Sequence, residues 1–157
     1  SVRVLLFTLL GEEKEIAYYP SGKPYLADKS ASISISHTRG YVSVIIGEAG
    51  KEVGIDIEQY GERVHKVAHK YMRTDEPLPS YQGTDTWALL LHWSAKEALF
   101  KLMGVEEVDF IRHLRIFPFS LSEEGEFEAC EYRTGRQGRY RVRYVTHPDF
   151  VLTWIIK

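Results

Sequence analysis

The sequence has a single cysteine, no long apolar run and almost no excess of charge, and each shortage excludes a class of protein. With Cys130 alone, no internal disulfide can form, which favours a reducing compartment such as the cytoplasm. No run of about 18 apolar residues occurs, so no segment is predicted to span a membrane. The formal net charge of −2 gives no reason to expect a nucleic acid or an anionic membrane surface as a partner.

What the chain does have is the size and composition of an ordinary globular protein. Its 157 residues are enough for one domain, or for two small halves that share a core.

The chain lacks an initiator methionine and starts in an apolar segment, residues 2–7, that carries one positive charge. No small-residue cleavage site follows, so this segment does not resemble a signal peptide. We expect instead that the chain is truncated or processed at its N-terminus.

Apolar spacing and glycine stops predict three helices. Residues 2–10 are mainly apolar and are followed by Gly11, which fits a buried helix with a glycine cap. The longest helix is predicted over residues 86–103, and Gly104 ends it. A shorter helix is predicted over residues 64–72.

The remaining patterns predict strands that pair mostly antiparallel. Residues 32–36 alternate strictly between serine and isoleucine, which predicts a half-buried strand with its serines on one face. Further strands are predicted over residues 41–46, 53–57, 114–117, 127–132, 139–146 and 150–156. The connections are too short for parallel crossovers, so we expect an α+β protein. The order of helix, turn and strands occurs before and after about Gly50, which indicates two related α/β halves.

The segment Gly54-Ile55-Asp56-Ile57-Glu58 is the most informative part of the chain. In a strand, Asp56 and Glu58 share one face and lie about 6–7 Å apart, while the isoleucines occupy the other face. Two carboxylates this close repel each other unless a cation or a hydrogen-bond network stabilises them. Such oxygen ligands suit Mg²⁺. The alternative is an edge strand with a solvated acidic face.

Two polar sites precede the acidic strand. Ser36, His37 and Thr38 lie at the end of the alternating strand, where hydroxyl and imidazole groups can hold a phosphate. Lys23 lies in a loop between a glycine and a proline. The alternatives are an ordinary polar turn for the first site and a bare surface lysine for the second.

The long helix offers a third candidate group. Glu97 and Lys101 are four residues apart, so the simplest interpretation is a helix salt bridge. Trp93 lies on the same helix face, however, and an acid among aromatic residues is a poor candidate for full solvation. A carboxylate there could complete a metal site or act as a base.

Together these motifs identify a resemblance. They occur in the order Gly22-Lys23-Pro24, Ile35-Ser36-His37-Thr38, Gly54-Ile55-Asp56-Ile57-Glu58 and Trp93-Ser94-Ala95-Lys96-Glu97-Ala98, with Lys101 one turn later. The chain resembles the 4′-phosphopantetheinyl transferases, specifically the surfactin-synthetase type. The resemblance covers residues 22–103 by motif and extends weakly into residues 70–76, which look like an aromatic segment of the family that ends in glutamate.

The resemblance implies an activity and roles for residues. Such enzymes transfer the 4′-phosphopantetheine arm of coenzyme A to a serine of an apo acyl or peptidyl carrier protein and release adenosine 3′,5′-bisphosphate. By resemblance, Asp56, Glu58 and Glu97 hold Mg²⁺ and form the catalytic set, with Glu97 as the candidate base. The residues implied to contact coenzyme A are Lys23, Ser36, His37, Lys96 and Lys101.

The resemblance also implies a fold. The family fold consists of two similar α/β halves with mostly antiparallel strands and coenzyme A in the cleft between them. We therefore expect one domain over residues 1–157, with residues 1–50 as an incomplete first half and residues 51–157 as the second half. A monomer is expected because both sets of motifs lie in one chain. The alternatives are a non-catalytic homologue and a Mg²⁺-dependent phosphohydrolase that uses the same carboxylates.

Overall fold

The computed structural model describes residues 1–136 and 138–157 and consists of helices and antiparallel strands. In chain order the elements are α1 (Val2–Leu10), β1 (Ile16–Tyr18), β2 (Pro24–Leu26), β3 (Ala31–Thr38), β4 (Tyr41–Glu48), β5 (Val53–Gln59), α2 (Arg63–Val67), a 3₁₀ turn (Ala68–Lys70), α3 (Thr86–Met103), β6 (Leu114–Ile116), β7 (Glu124–Glu131), β8 (Tyr140–His147) and β9 (Phe150–Ile156).

The described strands form two hairpins and one larger sheet. The hairpins are β1–β2 and β3–β4, and the larger sheet has the strand order β5-β9-β8-β7-β6. Every strand pair among the described residues is antiparallel. The predicted α+β class with mostly antiparallel strands is therefore confirmed.

Both long helices end at the predicted glycines. Gly11 has φ 75° and Gly104 has φ 64°, a left-handed conformation that glycine adopts without a steric penalty. The N–H of Gly104 donates to Phe100 O at 3.3 Å and so closes the last turn of α3. The helix predicted over residues 64–72 is shorter, because a 3₁₀ turn replaces its second half.

The larger core lies between α3 and the five-stranded sheet. Leu91 and Leu99 of the helix and Val142 and Ile155 of the sheet belong to one cluster, and each is 1% exposed or less. Each such side chain contributes about 1.5–3 kcal/mol relative to an exposed one. This packing holds α3 across the inner face of the sheet, and so fixes which helix residues face β5.

A smaller core lies in the first part of the chain. Leu6 of α1, Leu26 of β2 and Ile33 of β3 are buried together. The isoleucine face of β3 thus packs toward α1, which leaves the serine face of β3 turned toward β5.

Among the described residues, no helix is both long and apolar enough to cross a membrane.

Candidate active site

The glycine before the acidic pair allows α3 to cross β5 at close range. A Cβ atom added at Gly54 would lie 2.1 Å from the carbonyl oxygen of Ala98 and 3.1 Å from Leu102 Cβ. No other residue fits there without moving the helix backbone away from the strand. This contact places Glu97 and Lys101, which lie on either side of Ala98 along the helix sequence, beside the acidic strand.

Both faces of β5 are buried, although it is an edge strand. Asp56 is 3% exposed, and Ile55 and Ile57 on the opposite face are nearly as inaccessible. The interpretation of a solvated acidic face is therefore wrong. A buried carboxylate needs specific partners, because its charge loses the stabilisation that water would provide.

Two side chains donate hydrogen bonds to the same oxygen of Asp56. Its Oδ1 accepts from Lys101 Nζ at 3.2 Å and from Ser36 Oγ at 3.3 Å. Its Oδ2 is buried and has no hydrogen-bond partner in the part of the chain that the structure describes. Burial raises the pKa of Asp56, and the charge of Lys101 opposes that rise.

Glu58 lies under an indole N–H. Trp93 Nε1 donates to Glu58 Oε1 at 2.9 Å, and the Trp93 ring packs against Tyr71 and Phe110, with ring centroids 5.2 Å and 5.5 Å away. Burial, followed by the charge of Asp56, raises the pKa of Glu58 to about 8, while the Trp93 hydrogen bond opposes the rise.

Glu97 combines burial with a nearby negative charge. Burial and then the charge of Asp56 raise the pKa of Glu97 to about 7, although the charge of Lys101 opposes the rise. Lys101 forms its ion pair with Asp56 and, within the described residues, none with Glu97. The simple helix salt bridge is therefore wrong. A carboxyl group that titrates near neutral pH is suited to accept a proton.

The carboxylates fit a divalent cation in part. Among residues 1–136 and 138–157, no three histidine, cysteine, aspartate or glutamate side chains are arranged to hold a metal ion. Mg²⁺, however, commonly uses one or two carboxylates together with water and substrate phosphates. The unpartnered Oδ2 of Asp56 and the neighbouring Glu58 suit that pattern. That Asp56, Glu58 and Glu97 converge on one metal ion remains a prediction.

Lysines from both parts of the chain meet at one cavity. A cavity of about 230 Å³ lies between the β1–β2 loop and the end of α3, and Lys23, Phe100, Lys101 and Val105 contribute to its lining. Lys23 Nζ donates to Leu102 O at 2.9 Å, and burial lowers the pKa of Lys23. The structure thus brings together two of the lysines predicted to contact coenzyme A.

Ser36 and His37 have different surroundings although they are neighbours. His37 is exposed near the end of β3. The Ser36 hydroxyl is buried, where it accepts from the Ile57 N–H at 3.1 Å and contacts Asp56. The Ser36 hydroxyl is therefore engaged within the protein, and its predicted contact with coenzyme A stays a prediction.

Lys96, which was predicted to contact coenzyme A, does not line this cavity. Its Nζ donates to Glu76 Oε1 at 2.8 Å, and to the carbonyl oxygens of Tyr71 and Phe110. The side chains of Lys96 and Glu76 are completely buried. Residue 96 precedes Glu97 by one position, about 100° around the helix, so the two side chains point to different surroundings.

Comparison with known families agrees with the geometry. Residues 52–155, more than half of the chain, match the model of the 4′-phosphopantetheinyl transferase superfamily. The chain therefore belongs to this superfamily, as its motifs predicted. The matched segment contains Asp56, Glu58, Glu97 and Lys101, whereas Lys23 precedes it. A search of curated proteins found no match.

Proposed function

We propose that this protein is a phosphopantetheinyl transferase of the surfactin-synthetase type. It transfers the 4′-phosphopantetheine arm of coenzyme A to a serine of an apo acyl or peptidyl carrier protein, in a Mg²⁺-dependent reaction. Adenosine 3′,5′-bisphosphate is the second product. The observation that carries the proposal is the buried Asp56–Lys101 pair beside Glu97, next to a lysine-lined cavity, in a chain of this superfamily.

The site supplies charges of the sign that a pyrophosphate requires. Lys23 and Lys101 line the same cavity and bring positive charge to the phosphate groups. Asp56 and Glu58, with Glu97 beside them, would hold Mg²⁺, which would neutralise charge on the pyrophosphate. Since one chain supplies both lysines, a monomer is sufficient for the site.

Glu97 is the proposed general base. The serine oxygen of the carrier protein forms a bond to the phosphorus that bears the pantetheine arm. The bond from that phosphorus to the bridging oxygen breaks, and its electron pair leaves with adenosine 3′,5′-bisphosphate. The serine proton passes to the Glu97 carboxylate, which has a pKa of about 7 in the metal-free protein. Lys101 stabilises the charge on the phosphate groups.

The test is to incubate an apo carrier protein with coenzyme A, Mg²⁺ and the protein, and to measure the carrier's mass. We expect a mass gain of one phosphopantetheine, and we expect Asp56→Ala to abolish it while the circular dichroism spectrum stays unchanged. No gain across several carrier proteins would contradict the proposal. Consumption of coenzyme A without any modification of the carrier protein would indicate a phosphohydrolase. If no coenzyme A is consumed, the protein is a non-catalytic homologue.

A further inference from the structure

Two serine hydroxyls cover the open edge of β5. One edge of this strand pairs with β9. At the other edge, the N–H of Ile55 donates to Ser34 Oγ at 3.2 Å and the N–H of Ile57 donates to Ser36 Oγ at 3.1 Å. The two donors are two residues apart on β5, and the two serines are two residues apart on β3. The hydroxyls therefore accept the hydrogen bonds that carbonyl groups of a neighbouring strand would otherwise accept.

The two serines differ in one contact. Ser36 Oγ lies 3.3 Å from Asp56 Oδ1 and donates to it, whereas Ser34 has no carboxylate partner among the described residues. A hydroxyl has one proton and two lone pairs. Because the Ile57 N–H uses a lone pair of Ser36, the hydroxyl proton is free to bond the carboxylate.

The backbone of Ser36 is held from its other side. Ser43 Oγ, on the paired strand β4, donates to the carbonyl oxygen of Ser36 at 3.0 Å. Both serines are less than 10% exposed. The Ser36 hydroxyl therefore approaches Asp56 from a fixed position and not from a mobile loop.

These contacts divide the Asp56 carboxylate into two unlike oxygens. Oδ1 receives both donors, Ser36 and Lys101, while Oδ2 is buried and has no partner within the described residues. A buried carboxylate oxygen without a donor is unfavourable unless a proton or a cation occupies it. The arrangement holds the group by one oxygen and leaves the other available.

We propose that Ser36 is a positioning residue, whose hydroxyl fixes Asp56 through Oδ1 and so keeps Oδ2 available to a divalent cation. The inference rests on the proposed function for the role of that cation in transfer. It assigns Ser36 an effect on metal affinity, which a contact with coenzyme A would not produce. Residues that orient metal ligands in this way commonly affect metal affinity by about 10–100-fold.

The experiment compares Ser36→Ala with Ser34→Ala in the full chain. Each variant loses one edge hydrogen bond to β5, so both should lose similar stability in urea unfolding. Only Ser36→Ala loses a contact to Asp56. With Mn²⁺ as the probe, followed by electron paramagnetic resonance of the free ion, we expect Ser36→Ala to bind about tenfold more weakly. Ser34→Ala should bind like the wild type, and Ser36→Thr, which keeps the hydroxyl, should regain affinity.

Transfer kinetics separate this role from direct substrate contact. At saturating Mn²⁺, Ser36→Ala should keep the wild-type KM for coenzyme A, with its defect restricted to the metal dependence. Equal Mn²⁺ affinity in the two alanine variants, or a raised KM alone, overturns the positioning role. If Ser36→Ala does not fold, Ser36→Cys, a weaker donor, should still bind Mn²⁺ less tightly, and an unchanged affinity overturns the inference.

The two proposals fail in distinguishable ways. A wild-type protein that modifies no carrier protein contradicts the proposed transfer reaction, yet the Mn²⁺ comparison still decides the role of Ser36. A wild-type protein that transfers normally, with alanine variants of equal Mn²⁺ affinity, contradicts the role of Ser36 alone. Absence of Mn²⁺ binding to the wild type overturns the cation site and the role of Ser36 together.

Discussion

Lys101 Nζ lies 3.2 Å from Asp56 Oδ1, and this ion pair joins α3 to β5 across 45 positions of the sequence. The same ammonium group donates to the carbonyl oxygen of Ile55 at 3.1 Å, on the strand edge that β9 does not cover. Lys101 therefore partly neutralises the buried carboxylate and also satisfies an open acceptor of the edge strand. Its charge is fixed beside the cavity before any ligand arrives.

Lys101→Met removes this charge and keeps most of the aliphatic stem. We expect kcat/KM for phosphopantetheine transfer to fall by about 100-fold or more, because the lost donor stabilises charge on the phosphates. Lys101→Arg should retain part of the activity. The control is Lys66→Met, which removes an exposed lysine from α2 and should transfer normally. A Lys101→Met protein with wild-type kcat/KM would show that this lysine serves the fold alone.

The metal-free protein should become less stable as the pH rises. The native pKa values of Glu58 and Glu97, about 8 and about 7, exceed the value of about 4.3 in an unfolded chain. Between the unfolded and native values the native state binds more protons than the unfolded chain, so the free energy of unfolding falls with rising pH. Below the unfolded value both states are protonated, and the full stability is present.

Urea unfolding with a chelator present measures this dependence. The urea midpoint should decline from about pH 5 to about pH 8.5, and Glu58→Gln should flatten the decline because its side chain does not titrate. Glu126→Gln, which alters an exposed glutamate on β7, should keep the wild-type slope. If the urea midpoint of Glu58→Gln falls with pH as steeply as that of the wild type, Glu58 is not the cause of the pH dependence.

The buried pair of Lys96 and Glu76 should be required for the fold. Glu76 also accepts from the N–H groups of Arg73 and Ile116, at 2.8 Å and 2.7 Å. Lys96→Met leaves a buried carboxylate without its cation, so we expect a loss of about 3–5 kcal/mol in the free energy of unfolding. The double variant Lys96→Met, Glu76→Gln should lose less than the sum of the single variants.

An exposed pair provides the comparison for Lys96. Glu128 accepts from Arg139 at 3.0 Å on the surface of the sheet. Glu128→Gln should change the free energy of unfolding by less than about 1 kcal/mol. Similar losses for Lys96→Met and Glu128→Gln would contradict the structural role assigned to the buried pair.

Local patterns in the sequence predict much of the fold. The extent of α3 follows from its apolar stripe and from Gly104, because a helix face and a left-handed cap are properties of short segments. The alternation around Asp56 likewise predicts its strand, with the correct start at Val53 and an end two residues short of Gln59. The start of β7 was predicted three residues late, since Glu124 and Glu126 lie on its exposed face and resemble a charged turn.

Contacts between distant segments determine the rest of the site. The four-residue spacing of Glu97 and Lys101 predicts a pair within the helix, but the buried Asp56 competes for the same ammonium group. Likewise, a helix motif alone does not show that Lys96 meets Glu76. Both Lys96 and Glu76 belong to motifs that the sequence reveals, but only the tertiary fold brings their side chains into contact.

Gly54→Ala tests whether the close crossing of α3 and β5 assembles the site. The added methyl group would lie 2.1 Å from the carbonyl oxygen of Ala98, so the helix backbone must move. Overpacking of this kind typically destabilises by about 1–3 kcal/mol. Because Glu97 directly precedes Ala98 and Lys101 follows it by three residues, we also expect transfer activity to fall more than the loss of folded protein explains. Gly61→Ala is the matched control, since a Cβ atom there meets nothing within 4 Å. Equal activity per folded molecule in the two variants would show that the site tolerates a wider spacing.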